Sequence, residues 1–178
     1  MVTEAVGELK GEPIPEPVDI TIDVPVDANL PRGYVQRDDV RMEAYRRLAA
    51  VTTVDDVDDI RDEWEDRYGP PPPSAVALLD VARLRVECVR LAIRSITVQR
   101  NTARIVGVAL KESQKVRLRR IVPKAVAKDD ELVVPVSAAP AEVASVLVDL
   151  LRDLLPPPAE APSEGPNGAT PALASATP

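Results

Sequence analysis

The feature that most constrains this chain is the segment from Ser74 to Arg94, whose apolar residues cover too wide an arc for a surface helix. Leu79, Ala82, Val86, Val89 and Ile93 recur at helical spacing, and Leu78, Val81, Leu84, Cys88 and Leu91 widen the stripe. A helix of this kind must be covered on more than one side, so the segments before and after it have to pack against it. Ser74 is placed to cap its start. Arg83, Arg90 and Arg94 lie near one narrow stripe and are expected to reach solvent or a partner.

The segments available for that packing are legible on both sides. Val18, Ile20, Ile22, Val24 and Val26 alternate with Asp19, Thr21 and Asp23, the period of a strand, and Pro25 either makes it an edge strand or ends its pairing there. A helix over about 37–50 carries Val40, Ala44 and Leu48 on one side, with Tyr45 beside them. A second spans about 54–68, with Thr53 and Asp56 in capping-box positions and Gly69-Pro70 as the stop. Val57, Ile60, Trp64 and Tyr68 share its apolar face, while Asp59, Asp62, Glu63 and Asp66 form the opposite stripe. Pro70 to Pro73 make a stiff connector.

After the central helix, Arg100-Asn101 joins SITVQ to TARIVGVAL as a hairpin. Residues 113–122 carry both a strand-like alternation and helix signals; a short basic helix is the preferred reading. AVA and ELVVPV form a second hairpin about Asp129-Asp130. Val143, Val146, Leu147, Leu150, Leu151 and Leu154 mark a closing helix that begins near Pro140 and stops at Pro156. The expected fold is α+β: a helical cluster packed on a small, mostly antiparallel sheet, with a closing C-terminal helix. The expected organisation is a flexible linker remnant at 1–17, one domain at 18–155 and a disordered Pro/Ala-rich tail at 156–178.

Composition excludes several chemistries. Phe is absent, so the core rests on aliphatic side chains. His is also absent, which removes the commonest neutral-pH base and metal ligand. The single cysteine, Cys88, cannot form an internal disulfide, reads as a buried small hydrophobe, and fits a reducing, cytoplasmic setting. The chain has no phosphate-binding Gly-rich loop, dinucleotide fingerprint or nucleophile elbow. No catalytic residue, cofactor site or metal site is nominated. The cluster Asp55, Asp56, Asp58, Asp59 lacks the Gly and Glu of a calcium loop and reads as a solvated helix start.

Charge is segregated. Residues 1–80 carry 8 Lys and Arg against 19 Asp and Glu, residues 81–128 carry 13 against 2, and residues 129–178 carry 1 against 8. Two interaction readings follow. The stripe Asp59, Asp62, Glu63, Asp66 concentrates like charge that a basic partner would relieve. The basic block could meet phosphates, with Arg117, Arg119 and Arg120 as its contacts. It has no aromatic platforms, and the acidity of the whole chain argues against a dedicated DNA binder.

The ordered set ITIDVPVDANLPRGYV, RMEAYRRLA, DDIRDEWEDRYGPPP and LLDVARLRVECVRLAI resembles the C-terminal domain of the bacterial transcription-repair coupling factors. The likeness covers roughly 18–155 and is loosest after about 110. In that family the whole protein is a DNA-translocating ATPase that acts on stalled RNA polymerase and recruits UvrA. None of the motor motifs is in this chain, so the resemblance implies no enzyme here. It implies a regulatory domain that docks on the N-terminal UvrA-binding module of the same protein, masks it and restrains the motor. UvrA and RNA polymerase are then indirect partners. The masked surface in the family is basic, and the resemblance places the docking acids at Glu63 and Asp66, with Asp59 and Asp62 on the same stripe. Arg67 belongs to the same motif. The alternative is a nucleic-acid-binding accessory module built on 81–128.

Overall fold

The computed structural model describes residues 20–156. The expected linker at 1–17 and nearly all of the expected tail lie outside them. The elements run β1 (Thr21–Asp23), α1 (Asp38–Ala49), α2 (Val54–Tyr68), α3 (Pro73–Arg90), β2 (Ser95–Gln99), β3 (Thr102–Val106), α4 (Glu112–Ile121), β4 (Val126–Lys128), β5 (Glu131–Pro135) and α5 (Val143–Leu154). A single 3-10 turn, Pro140–Glu142, leads into α5.

The fold is α+β. The strands form one five-stranded sheet in the order β1-β2-β3-β5-β4. Only β1–β2 is parallel, because all three helices α1–α3 lie between those strands and bring the chain back in the same direction. The remaining pairs are antiparallel. β1 is an edge strand whose pairing ends at Asp23, before Pro25, and the side chains from Ile20 to Val26 alternate between half-buried and exposed. The β2–β3 turn is Arg100-Asn101, both at positive φ, which gives a hairpin twist that suits the strands.

α3 is the wall shared by two cores. Leu84 and Cys88 face the sheet, where Ile96, Ile105 and Leu132 meet Leu147 and Leu151 of α5. Leu79, Ala82 and Val86 face the other way, onto Leu48 of α1 and Val57, Ile60 and Trp64 of α2. The two-sided burial expected of this helix is therefore present, with three corrections. Ser74 is not the cap: Pro72 holds that position and Pro73 opens the helix, its fixed φ suiting the first turn. The helix ends at Arg90 rather than Arg94, because Ala92 turns left-handed at φ 54° and Ile93 and Arg94 swing toward the sheet. Val89 is 62% exposed, since the two buried faces leave a gap between them on the helix circumference.

α2 is terminated as its sequence requires. Thr53 Oγ1 accepts the Asp56 N–H at 3.1 Å, Asp56 Oδ2 accepts the Thr53 N–H at 2.8 Å, and Gly69 ends the helix at φ 81°. Residues 113–122 are helical in α4, which buries only Leu118 deeply. Gln114 Oε1 accepts the Lys111 N–H at 2.8 Å, which fixes the start of the helix. In α5 the expected stripe is buried except Val146, which is 40% exposed.

Candidate docking surface

The apolar face of α2 is pinned by Trp64, which is 2% exposed, and this fixes where the opposite face points. Tyr34 secures the end of the helix: its hydroxyl donates to the carbonyl of Gly69 at 2.8 Å, and its ring meets Tyr68 edge-on. Asp59, Asp62 and Asp66 are consequently exposed along one stripe. Asp62 takes Arg61 at 3.1 Å. Asp59 and Asp66 have no hydrogen-bond or ion-pair partner among the described residues.

Glu63 differs from its neighbours. It is half-buried, and Oε1 accepts from Arg47 Nη1 at 2.9 Å and from Arg67 Nη1 at 2.7 Å, while Oε2 meets Arg47 Nη2 at 2.6 Å. The bonds from Arg47, then those from Arg67, pull the Glu63 carboxyl down to about 2. Glu63 thus joins α1 to α2 as well as belonging to the acidic stripe, and Arg67 pairs within the domain. Sequence spacing could not show this, because Arg47 lies on a different helix. Beside Glu63 a groove of about 310 Å3 opens between α1 and α2, floored by Val40, Ala44, Trp64 and Tyr68.

The acids at the start of α2 have separate duties. Asp56 completes the capping box, and Asp58 pairs with Arg83. Among the described residues no group of three or more His, Cys, Asp and Glu is arranged to hold a metal ion. Cys88 is fully buried, and burial, then the Glu87 charge, pushes its thiol up to about 12.

The basic block divides in two. Arg83 and Arg90 do not reach out as expected. Arg83 bridges Asp58 and Asp80, and Arg90 bonds Glu87 and the Leu155 carbonyl. Arg94 lies beyond the helix and pairs with Asp130. Glu87, 2% exposed, also takes Arg152 of α5 at 2.8 Å. This buried carboxylate escaped the sequence reading, although its spacing of three from Arg90 was a usable signal. Arg117, Arg119 and Arg120 are exposed on α4 and lack a carboxylate partner among the described residues.

These features define a class: an α+β domain whose charged helical faces, rather than an enclosed cleft, are its most distinctive surfaces. The comparisons give the family. The TRCF domain matches residues 24–120, and the chain belongs to that family. It is 42% identical over 100 residues to the transcription-repair-coupling factor of Mycobacterium bovis, covering 56% of this chain and 8% of that protein. It is 31% identical over 112 residues to that of Staphylococcus aureus strain USA300, covering 62% of this chain and 9% of that protein. The chain therefore spans less than a tenth of the length of these curated relatives. The crystal structure of the C-terminal domain of a transcription-repair coupling factor superposes with a TM-score of 0.65 at 18% identity, covering 77% of this chain and 92% of that one, and shares the fold.

Proposed function

We propose that this domain regulates a larger transcription-repair coupling protein by docking the acidic face of α2 on a basic surface of its UvrA-binding module. The docked state masks that module and restrains the motor, and undocking frees both. The observation that carries the reading is the division of labour on α2. Trp64 and Ile60 fix the helix from inside, while Asp59 and Asp66 stand exposed with no cation partner among the described residues. Glu63 keeps the α1–α2 frame in place and presents its remaining lone-pair capacity to the same side.

Exposed ion pairs contribute only about 0.2–1 kcal/mol each, so acids alone give weak docking. The adjoining groove, lined by the half-buried Val40, Ala44 and Tyr68, supplies apolar surface for a partner side chain. Tethering within one protein adds effective concentration, so a modest contact suffices to set the population of the docked state.

The test is calorimetric titration of the full chain into the separately supplied UvrA-binding module at near-physiological salt. Docking is expected in the micromolar range, weakened about tenfold by Asp59→Lys with Asp66→Lys. Unchanged affinity in that variant contradicts the assignment of the face.

A further inference from the structure

Helix α4 is a second, oppositely charged surface. From Arg32 to Arg94, every arginine except Arg85 bonds a carboxylate of the same domain. The pattern stops at α4. Lys111, Arg117, Arg119, Arg120 and Lys124 are exposed and have no carboxylate partner among the described residues. Only Lys115 is paired there, to Glu112 of its own first turn at 2.8 Å. Arg85, Arg100 and Lys128 also lack a carboxylate partner among the described residues, but they are scattered over three separate parts of the fold, whereas these five sit on one ten-residue helix and its two ends.

The same face carries exposed aliphatic side chains. Val116 is 49% exposed and Ile121 41%. Val116 lies at i−3 and i−4 from Arg119 and Arg120 on the outer side of the helix, and Ile121, about 140° round from Val116, lies beside Arg117 at the edge of that face. Leu118 points the other way, into the core. Alongside runs a cleft of about 190 Å3 between Lys115 and Arg119 of α4 and Ala125, Val126 and Ala127, next to the edge strand β4.

We infer that the outer face of α4 docks an acidic, aliphatic-punctuated segment of a separate protein. Charge complementarity requires an anionic partner. Val116 and Ile121 select a polypeptide over a nucleic acid: phosphates offer nothing for two half-exposed aliphatic chains, and α4 has no aromatic ring on which a base could stack. The net charge of −7 also disfavours a long uniform polyanion, whereas a short acidic segment meets only the local field. This site is independent of the α2 reading and uses none of its residues.

The experiment is fluorescence anisotropy with the full chain and a labelled peptide of about 20 residues repeating Glu-Glu-Leu-Glu-Ile, at roughly 0.1 M salt. Oligoglutamate of equal length and a duplex DNA of about 20 base pairs serve as comparison probes. The acidic-aliphatic peptide is expected to bind best. Arg117→Glu with Arg119→Glu and Arg120→Glu should weaken it at least about tenfold, and Val116→Ser with Ile121→Ser about threefold. All five positions are exposed, and circular dichroism checks that the fold is retained. Asp59→Lys with Asp66→Lys should not weaken binding, which separates this site from the α2 face. Any of three results overturns the inference: no saturable peptide binding, tighter binding of DNA, or oligoglutamate binding as well as the peptide with no effect of the two serines.

Discussion

Glu87 offers the most informative perturbation of the fold. Its carboxylate is 2% exposed and holds two arginines, Arg90 one turn along α3 and Arg152 on α5. Arg90 in turn donates to the Leu155 carbonyl at 2.7 Å, so the cluster fastens the last turn and the C-cap of the closing helix to α3. Glu87→Gln keeps the side-chain shape and removes the charge. Removing one partner of a buried ion pair costs about 3–5 kcal/mol. Here the stranded arginines keep access to water, at 25% and 42% side-chain exposure, which brings the cost below that range, to about 2–3 kcal/mol. At about 4 °C per kcal/mol for a domain of this size, Tm should fall by about 8–12 °C, measured by differential scanning calorimetry. Replacing all three groups together, as Glu87→Met, Arg90→Leu and Arg152→Leu, should recover most of the loss, because no unpaired charge is then left buried. A drop below about 2 °C for Glu87→Gln would refute the view that this cluster clamps α5.

Three further outcomes are expected. Because the bonds from Arg47 and Arg67 lower the Glu63 pKa from the usual carboxylate range to about 2, their stabilisation is complete above about pH 4.5 and is lost as pH falls through about 2. Glu63→Gln should therefore cost about 1 kcal/mol in urea unfolding at pH 7, and the difference from wild type should shrink steadily as the pH is lowered from 4.5. Cys88, buried with its thiol pushed up to about 12, should resist alkylation in the native state at pH 8 and react at once in denaturant, followed by mass spectrometry. Gly107 sits at φ 106°, and a Cβ there would lie 2.8 Å from the Arg94 nitrogen and 2.9 Å from the Ala92 oxygen. Gly107→Ala should therefore destabilise by at least about 1–3 kcal/mol in chemical denaturation.

The sequence was most readable where signals agreed at one place. In α2 the capping box, the periodic face ending at Trp64 and the Gly69 stop all point to one helix, and the structure has it between Val54 and Tyr68. The Arg100-Asn101 hairpin was similarly overdetermined. α4 was harder to read. With one deeply buried residue, Leu118, it has little apolar period, and the Val116-Arg117-Leu118-Arg119 alternation suits a strand equally well. Val89 illustrates another limit: a helix buried on two sides has its exposed gaps set by the neighbours' positions, which local spacing does not contain. Insertion of β5 between β3 and β4 is likewise a long-range pairing. On the candidate surface, the acidic stripe of α2 was visible from the 3.6-residue period. The capture of Glu63 by Arg47, and of Arg83 by Asp58, became visible only once helices distant in sequence were placed side by side, whereas Arg90 meets Glu87 on its own helix.

The proposed regulation requires that the exposed acids of α2 hold a larger protein in a masked state. The most direct measurement is UvrA capture by the longer coupling protein that carries this domain, comparing wild type with Asp59→Lys and Asp66→Lys in surface plasmon resonance. Both residues are exposed and have no partner among the described residues, so the fold should be unaffected. Stronger UvrA binding by the variant, about tenfold if docking loses two ion pairs that are replaced by repulsion, is the predicted result. UvrA binding equal to wild type, with the fold intact, would contradict the claim.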